Sequence, residues 1–400
     1  MKKPLIRIPY TTPFPPPTLI PSTTSTIPGA LAALQTFLSA PPAHPHLPAS
    51  TVLLTGAGLS VASGLADYRG ENGTYRVHAA YRPIYYHEFL SNHEARKRYW
   101  ARSFLGWSAL RAAAPNAGHY AVRELGRMGV VNAVVTQNVD SFHGRAHPEV
   151  PTLELHGYLR ATVCTSCRGE FSREEFQGEL ARLNPVWDAF LQEAVAKGVL
   201  GVEDPHARGA AGVRMNPDGD VEVPGAPYTT FRYPACPRCL GSSPTLKDGT
   251  RGRVEVDNDG AWSPTSNAGV LKPAVVMFGE SIPEHVKVAA EEAIDGAGKL
   301  LVLATSMATY SAWRLAKRAK DRGMPIGIVN IGGVRGEEAF FAHLEPDQAG
   351  GQGVRVDMST DTLLPALVEE LRNSSFREAG ALPEEASQEN EGAIFKNMLQ

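Results

Sequence analysis

Four short apolar runs rich in β-branched residues punctuate the chain: TVLLT from residue 51, VVNAVVTQN at 130–138, KLLVLATS at 299–306 and MPIGIVNIG at 324–332. Each is nearly continuous in hydrophobicity rather than alternating, and each gives way to small or polar residues. Such runs belong to strands buried on both faces of a parallel sheet. Helical periodicity separates them, in HYAVRELGRMG before the second and SAWRLAKRAKDRG before the last. Alternation of this kind predicts an α/β fold: an open, doubly wound, Rossmann-like parallel sheet with helices on both faces. Ligands of such sheets bind beyond the carboxyl ends of the strands, where all four polar tips lie.

The pattern changes outside these runs. Residues 1–48 are rich in Pro, Ser and Thr, with one helix candidate, GALAALQTFLSA. Lys2, Lys3 and Arg7 are basic, and the first acidic residue is Asp67. That composition predicts a flexible arm and suits a mitochondrial transit segment. Residues 161–267 are rich in Gly, Pro and Asp, as in NPDGDVEVPGAP, and predict a smaller second module. The sheet domain is expected from 49–160 and 268–370, with a helical segment at 70–115 within it. Residues 371–400 are polar and acidic and read as a solvated tail.

An apolar content of 43% and a charged content of 20% are those of a soluble globular protein. The formal charge of −3 carries no global basic signature for nucleic acid. No apolar run approaches the length of a membrane span. The four cysteines form two C-x-x-C pairs, Cys164/Cys167 and Cys236/Cys239. Two disulfides would staple a chain of this length poorly, whereas two such pairs suit one tetrahedral Cys₄ zinc site.

Three motifs carry candidate chemistry. In TGAGLSVASGLADYRG (55–70), Gly56, Ala57 and Gly58 fit G-x-G, but Val61 stands where a dinucleotide fingerprint has its third glycine. The glycines let backbone amides approach a pyrophosphate, and Ser60 opens a predicted helix. Asp67 and Arg69 follow it. TQNVDSFHG (136–144) brings Gln137, Asn138 and Asp140 to one strand end, more hydrogen-bonding groups than a turn needs. LELHGYLRATVCTSC (153–167) sets His156 just before the first cysteine pair. There it reads as a third metal ligand, a buried structural imidazole or a catalytic base.

Taken together, GAGLSVASGLADYRG, TQNVDSFH, ELHG, the paired C-x-x-C, LKPAVVMFGE, ATS and VNIG resemble, in order and placement, the sirtuins, NAD⁺-dependent protein-lysine deacylases. The resemblance runs from about Ser50 to Leu367. RYWARSFLGW (98–107), the long cysteine spacing and NPDGDVEV inside it are similar to the class II branch, that of the fourth mammalian sirtuin. The resemblance implies NAD and zinc as cofactors and acylated lysine side chains of proteins as partners. In that chemistry the acyl oxygen attacks C1′ of the nicotinamide ribose, nicotinamide leaves, and a histidine acts as base on a ribose hydroxyl. The products are free lysine and O-acyl-ADP-ribose. His156 matches the base, an imidazole being substantially neutral at working pH. Asn138 and Asp140 match further catalytic groups.

By the same resemblance Gly56, Ala57, Gly58 and Ser60 match the phosphate loop. Asp67, Tyr68, Arg69 and Tyr75 match the segment around the nicotinamide end, and Gln137, Asn138 and Asp140 the ribose and nicotinamide contacts. Ser306 and Asn330 match the adenosine end, with Thr360 near the adenine. Val276, Phe278, Gly279 and Glu280 match the edge where a peptide adds as a strand. Tyr99 and Arg102 form the Tyr-x-x-Arg pair that grips acidic acyl tails in desuccinylating sirtuins. The alternatives are an Arg102 that is solvated or salt-bridged on an amphipathic helix, and branched or longer acyl groups such as glutaryl-type or lipoyl chains.

Ala66 replaces the usual Pro, Tyr68 a Phe, Phe142 a Leu, His147 a Gly and Ala304 a Gly. Two further readings fit the same motifs: mono-ADP-ribosyl transfer, and a weakly catalytic NAD-binding regulator of metabolic enzymes.

Overall fold

The computed structural model describes residues 10–42, 44–78, 81–201, 214–217, 219–345 and 349–380. Its strands, in chain order, are β1 (Thr51–Thr55), β2 (Val131–Thr136), β3 (Thr152–Glu154), β4 (Gly157–Cys164), β5 (Glu170–Ser172), β6 (Arg214–Met215), β7 (Val221–Glu222), β8 (Leu271–Val275), β9 (Lys299–Leu303), β10 (Ile326–Val329) and β11 (Gly353–Val356). Six of them form one sheet in the order β11-β10-β9-β1-β2-β3, every pairing parallel. The chain order reverses between β1 and β9. That is the topological switch point at which doubly wound sheets open a ligand crevice.

The four expected strands are β1, β2, β9 and β10, and β1 and β9 are buried at every residue. The edge strands β3 and β11 had no comparable signal. β3 spans three half-buried residues. β11 contains Arg355, a polar residue in a fully buried strand, held by Glu337 and by the carbonyls of Asn330 and Gly332. An arginine is tolerated there because every direction of its fork meets an acceptor.

The helices Ile27–Ser39, Ala117–Arg127 and Thr360–Gly380 cover one face of the sheet. Glu284–Asp295 and Tyr310–Asp321 cover the other. The expected flexible arm is therefore corrected over part of its length. Ala30, Leu34 and Phe37 are wholly buried against the sheet. The Lys299 ammonium donates to the Leu38 carbonyl at the helix end, and Ile20 pairs with Arg355 beyond β11. An amphipathic stripe of Ala, Leu and Phe outweighs the Pro-rich flanks once a sheet face is there to bury it. At the other end the helix runs ten residues past the expected boundary at 370, to Gly380. The rest of the expected tail, and residues 1–9 of the arm, lie outside the described residues.

The smaller module has its own sheet, β5-β4-β8, antiparallel throughout. The expected boundaries at 160 and 268 shift accordingly, since β4 begins at Gly157 and β8 ends at Val275. Its core joins Cys164, Cys236 and Cys239 to Trp100 and Phe104 of the helix His93–Ala112. Among the described residues no helix is long and apolar enough to cross a membrane.

Candidate active site

The four cysteine sulfurs converge from two turns, one after β4 and one at the start of the short helix Pro237–Gly241. Cys164 Sγ lies 3.6 Å from Cys239 Sγ, Cys167 Sγ lies 3.7 Å from Cys236 Sγ, and all four are within 4.8 Å of one another. A zinc ion with Zn–S bonds of about 2.3 Å at tetrahedral angles spaces its sulfurs at roughly 3.8 Å. A disulfide would need about 2.05 Å. The donor set and its spacing fit zinc, and the cluster is complete without His156.

A cleft of about 1560 Å³ runs along the carboxyl edge of the large sheet and under the small module. Every residue expected to touch cofactor or substrate lines it, from Gly56 through Tyr99, Arg102 and His156 to Asn330, as does Thr360. The glycines of the expected phosphate loop are required by a neighbouring loop. A Cβ on Gly56 would stand 2.5 Å from the Thr305 Cβ, and one on Gly58 3.0 Å from the Ala304 carbonyl oxygen. The Gly56 and Gly58 amides donate to Leu303 and Ala304 across the switch point. Ala304 itself adopts φ 51°, the left-handed region in which Ala is strained and Gly is not. The expected helix opening at Ser60 is instead the 3₁₀ turn Ala57–Ser63, with Ser60 in its middle.

That serine holds the loop to the end of β2. Asn138 Nδ2 donates to the Gly56 carbonyl and to Ser60 Oγ, each at 3.1 Å. Ser60 Oγ in turn donates to Asp140 Oδ2 at 2.7 Å, while Asp140 Oδ1 accepts from the Phe142 amide. Burial pushes the Asp140 carboxyl above its ordinary value. Gln137 ties three strand ends together, donating to the Thr55 carbonyl and Thr305 Oγ1 and accepting from Thr309. Asp67 accepts from the Gly70 amide and is pushed up by burial, and the Arg69 guanidinium sits 4.9 Å from the centre of the Tyr75 ring.

His156 stands between β3 and β4, where the two sheets meet. Its Nδ1 lies 3.1 Å from the Gln137 carbonyl, which can only accept, so Nδ1 carries the proton. Nε2 is then the lone-pair nitrogen and accepts from Ser311 Oγ at 2.8 Å. Burial lowers the imidazole pKa to about 4. The ring is neutral at pH 7, with its basic nitrogen held by a hydroxyl on the cleft wall. Ser311, at the start of a helix, is a site residue that sequence reasoning missed. No motif within its own segment distinguishes it from a surface serine.

The segment expected to take the peptide starts beside the histidine, with the Val276 amide donating to the His156 carbonyl and the Tyr86 amide to the Phe278 carbonyl. Gly279 has φ 81° and turns the chain. Glu280, expected as a substrate contact, lines the cleft and is also engaged within the protein. It pairs with Lys272 at 3.2 Å and accepts from the Met277 amide. Arg102 pairs with Asp220 at 2.7 Å, the salt-bridged alternative to a carboxylate-gripping role. Residues 11–14, 16 and 17 also line the cleft, and the Tyr10 carbonyl accepts from Arg69 Nε. Nothing in their proline-rich composition had pointed there.

Behind the loops lies a buried histidine cluster. His143 Nε2 bonds Thr55 Oγ1 at 2.9 Å and its Nδ1 bonds His147 Nε2 at 2.8 Å, with the His119 ring 5.1 Å from that of His143. Burial lowers the pKa of all three.

A model of the Sir2 family matches residues 56–311. The NAD-dependent protein deacylase SIR4 of Batrachochytrium dendrobatidis is 40% identical over 292 residues, 72% of this chain and 83% of the relative. The NAD-dependent protein deacylase Sirt4 of Drosophila melanogaster is 34% identical over 72% of this chain and 76% of its own length. A solved Sir2 homologue in complex with ADP-ribose shares the fold at 22% identity and a TM-score of 0.51, covering 86% of this chain and 96% of that one.

Proposed function

The chain belongs to the Sir2 family, and from that premise we propose that it is an NAD⁺-dependent protein-lysine deacylase in which His156 is the base. The observation that carries the proposal is the fixed tautomer of His156, with its unprotonated Nε2 on the wall of the cleft that the phosphate loop also lines.

The residues present fit the dinucleotide. Gly56–Ser60 would face its phosphates, Gln137, Asn138 and Asp140 the nicotinamide ribose, and Ser306 and Asn330 the adenosine end. Asp67, Tyr68, Arg69 and Tyr75 would close around the nicotinamide. When bound, NAD⁺ supplies an electrophilic ribose carbon with nicotinamide as leaving group, to which an acyl-lysine oxygen adds. The protein's own part is positioning and proton handling. His156 Nε2, released from Ser311, would accept a hydrogen bond from a ribose hydroxyl of the bound dinucleotide and could take its proton. The Gln137 carbonyl, on the far side of the ring, stabilises the imidazolium that results. The segment 276–279 holds the peptide extended beside it. The zinc that the four cysteines fit would fix the small module, and no chemical step needs it.

The acid-free, basic start supports a mitochondrial destination. Because Thr24 and Ala30 are buried in the core, any targeting segment ends before Ile20. Import of the full chain into isolated mitochondria, with the mature N-terminus sequenced, tests this.

Mass analysis of products tests the enzymatic reading. Incubation with NAD⁺ and an acyl-lysine peptide should yield deacylated peptide and O-acyl-ADP-ribose in equal amounts. ADP-ribose attached to protein, with the acyl-lysine intact, would replace this reading by ADP-ribosyl transfer.

A further inference from the structure

The acyl side of the cleft ends on a charge pair. Arg102 projects from the helix His93–Ala112, and Asp220 from the hairpin of β6 and β7 inside the long insertion. Both line the cleft that holds His156, and their side chains are only 5% and 10% exposed. The two form an ion pair, with Nη2 2.7 Å from Oδ2. Among the described residues, Arg102 Nε and Asp220 Oδ1 are buried with no hydrogen-bond partner, which leaves the pair one unused donor and one unused acceptor there. The guanidinium also lies 5.8 Å from the centre of the Tyr81 ring. Burial works against its charge, but Asp220, with Tyr81 and Glu222, outweighs that penalty and keeps Arg102 cationic.

The hairpin is seated deliberately close. Gly219 turns it at φ 72°, and its carbonyl comes so near Gly106 of the helix that a Cβ there would stand 1.8 Å away. Only glycine at 106 lets the hairpin bring Asp220 down to Arg102. A lone buried arginine would draw a carboxylate-tipped acyl chain by a charge-assisted bond. With Asp220 already paired to it, a second carboxylate meets like charge in a poorly solvated site. An uncharged tip that both donates and accepts, such as a hydroxyl or a carboxamide, can use the unfilled donor and acceptor together.

Resting on the deacylase reading above, we propose that Asp220 sets acyl specificity. Paired with Arg102, it makes the channel floor neutral but bipolar, selecting acyl-lysines with an uncharged hydroxyl or amide tip and rejecting those ending in a carboxylate.

Four peptides of one sequence test it, bearing butyryl-, 3-hydroxybutyryl-, succinamyl- or succinyl-lysine. Succinamyl and succinyl differ only in carboxamide against carboxylate. For the natural protein kcat/KM should favour succinamyl over succinyl by about tenfold or more, and 3-hydroxybutyryl over butyryl by several-fold. Asp220→Asn should invert the first ratio, because Arg102 is then unmasked. Gly106→Ala, which displaces the hairpin without altering either charge, should move the ratio the same way but less. Equal turnover of succinamyl and succinyl by the natural protein, or an unchanged ratio in a folded Asp220→Asn variant, overturns the proposal. Silence on all four peptides, butyryl included, overturns the deacylase reading and this one with it.

Discussion

The two walls of the cleft are built by different means. The cofactor wall is made of loops that leave adjacent parallel strands, and backbone bonds knit those loops to one another, Gly56 to Leu303 and Gly58 to Ala304. Gln137 and Asn138 fasten what the backbone leaves open. The acyl wall is assembled from segments far apart in sequence: a long helix, a two-residue-per-strand hairpin and the cysteine turns. It rests on isolated pairwise contacts, namely the Arg102–Asp220 pair, the close seat of the Gly219 carbonyl on Gly106 and the sulfur cluster. Sheet topology thus fixes where the dinucleotide would lie, while pairwise contacts that substitution can change one at a time shape the acyl end.

The sharpest way to break this comparison is to remove the sulfur cluster. Stripping zinc, or Cys236→Ser, should unfold the small module and abolish deacylation, since binding of structural zinc is itself folding free energy of roughly 10 kcal/mol. The cofactor wall should survive, so calorimetry is expected to retain NAD⁺ binding while limited proteolysis cuts within 161–267. Full activity after stoichiometric zinc removal would contradict the division.

A smaller effect, on the opposite wall, is expected of Gly56→Ala. Its Cβ meets Thr305, and overpacking of this kind costs about 1–3 kcal/mol, read as a lower melting temperature and a large loss of NAD⁺ affinity. Acyl preference among the four peptides should not change.

The histidine cluster behind the cofactor wall makes stability depend on pH. His119, His143 and His147 are almost fully buried, and their folded pKa values lie below the unfolded value near 6.5. Between those values the unfolded chain binds more protons. Stability is therefore complete above about pH 6.5 and falls as the pH drops, by up to about 1.4 kcal/mol per pH unit for each group. Urea titrations at pH 7.5, 6 and 5 should show the loss, with a shallower slope in His147→Gln; a flat profile would refute it.

The smallest effect is a gain. Ala304→Gly relieves a left-handed alanine and should stabilise the protein by about 1 kcal/mol, visible as a rise in melting temperature.

What was readable in the sequence follows the same division. β1, β2, β9 and β10 announce themselves as continuous apolar runs, and the residues that cap them are local to those runs, so the candidate cofactor residues could be named from the sequence and are found together on one cleft wall. β11 could not, because Arg355 interrupts its hydrophobicity and finds its acceptors only in the fold. The helix Ile27–Ser39 was visible as a pattern, but its burial was hidden by the proline-rich flanks. On the acyl side, Tyr99 and Arg102 were legible as a motif, whereas Asp220 lay unnoticed in NPDGDVEV. A charge pair between distant segments has no sequence signal until the fold closes it, and the bond of Ser311 to His156 was hidden for the same reason.

The central claim is that His156 Nε2 is the base of an acyl-lysine-dependent reaction. Nicotinamide release, followed with NAD⁺ in the presence and absence of a butyryl-lysine peptide, tests it in the natural protein and in His156→Gln. The account predicts release that requires the acylated peptide and formation of O-acyl-ADP-ribose that falls about 10²- to 10⁴-fold in the variant. Release independent of the peptide, or equal product formation in a folded His156→Gln protein, would contradict it.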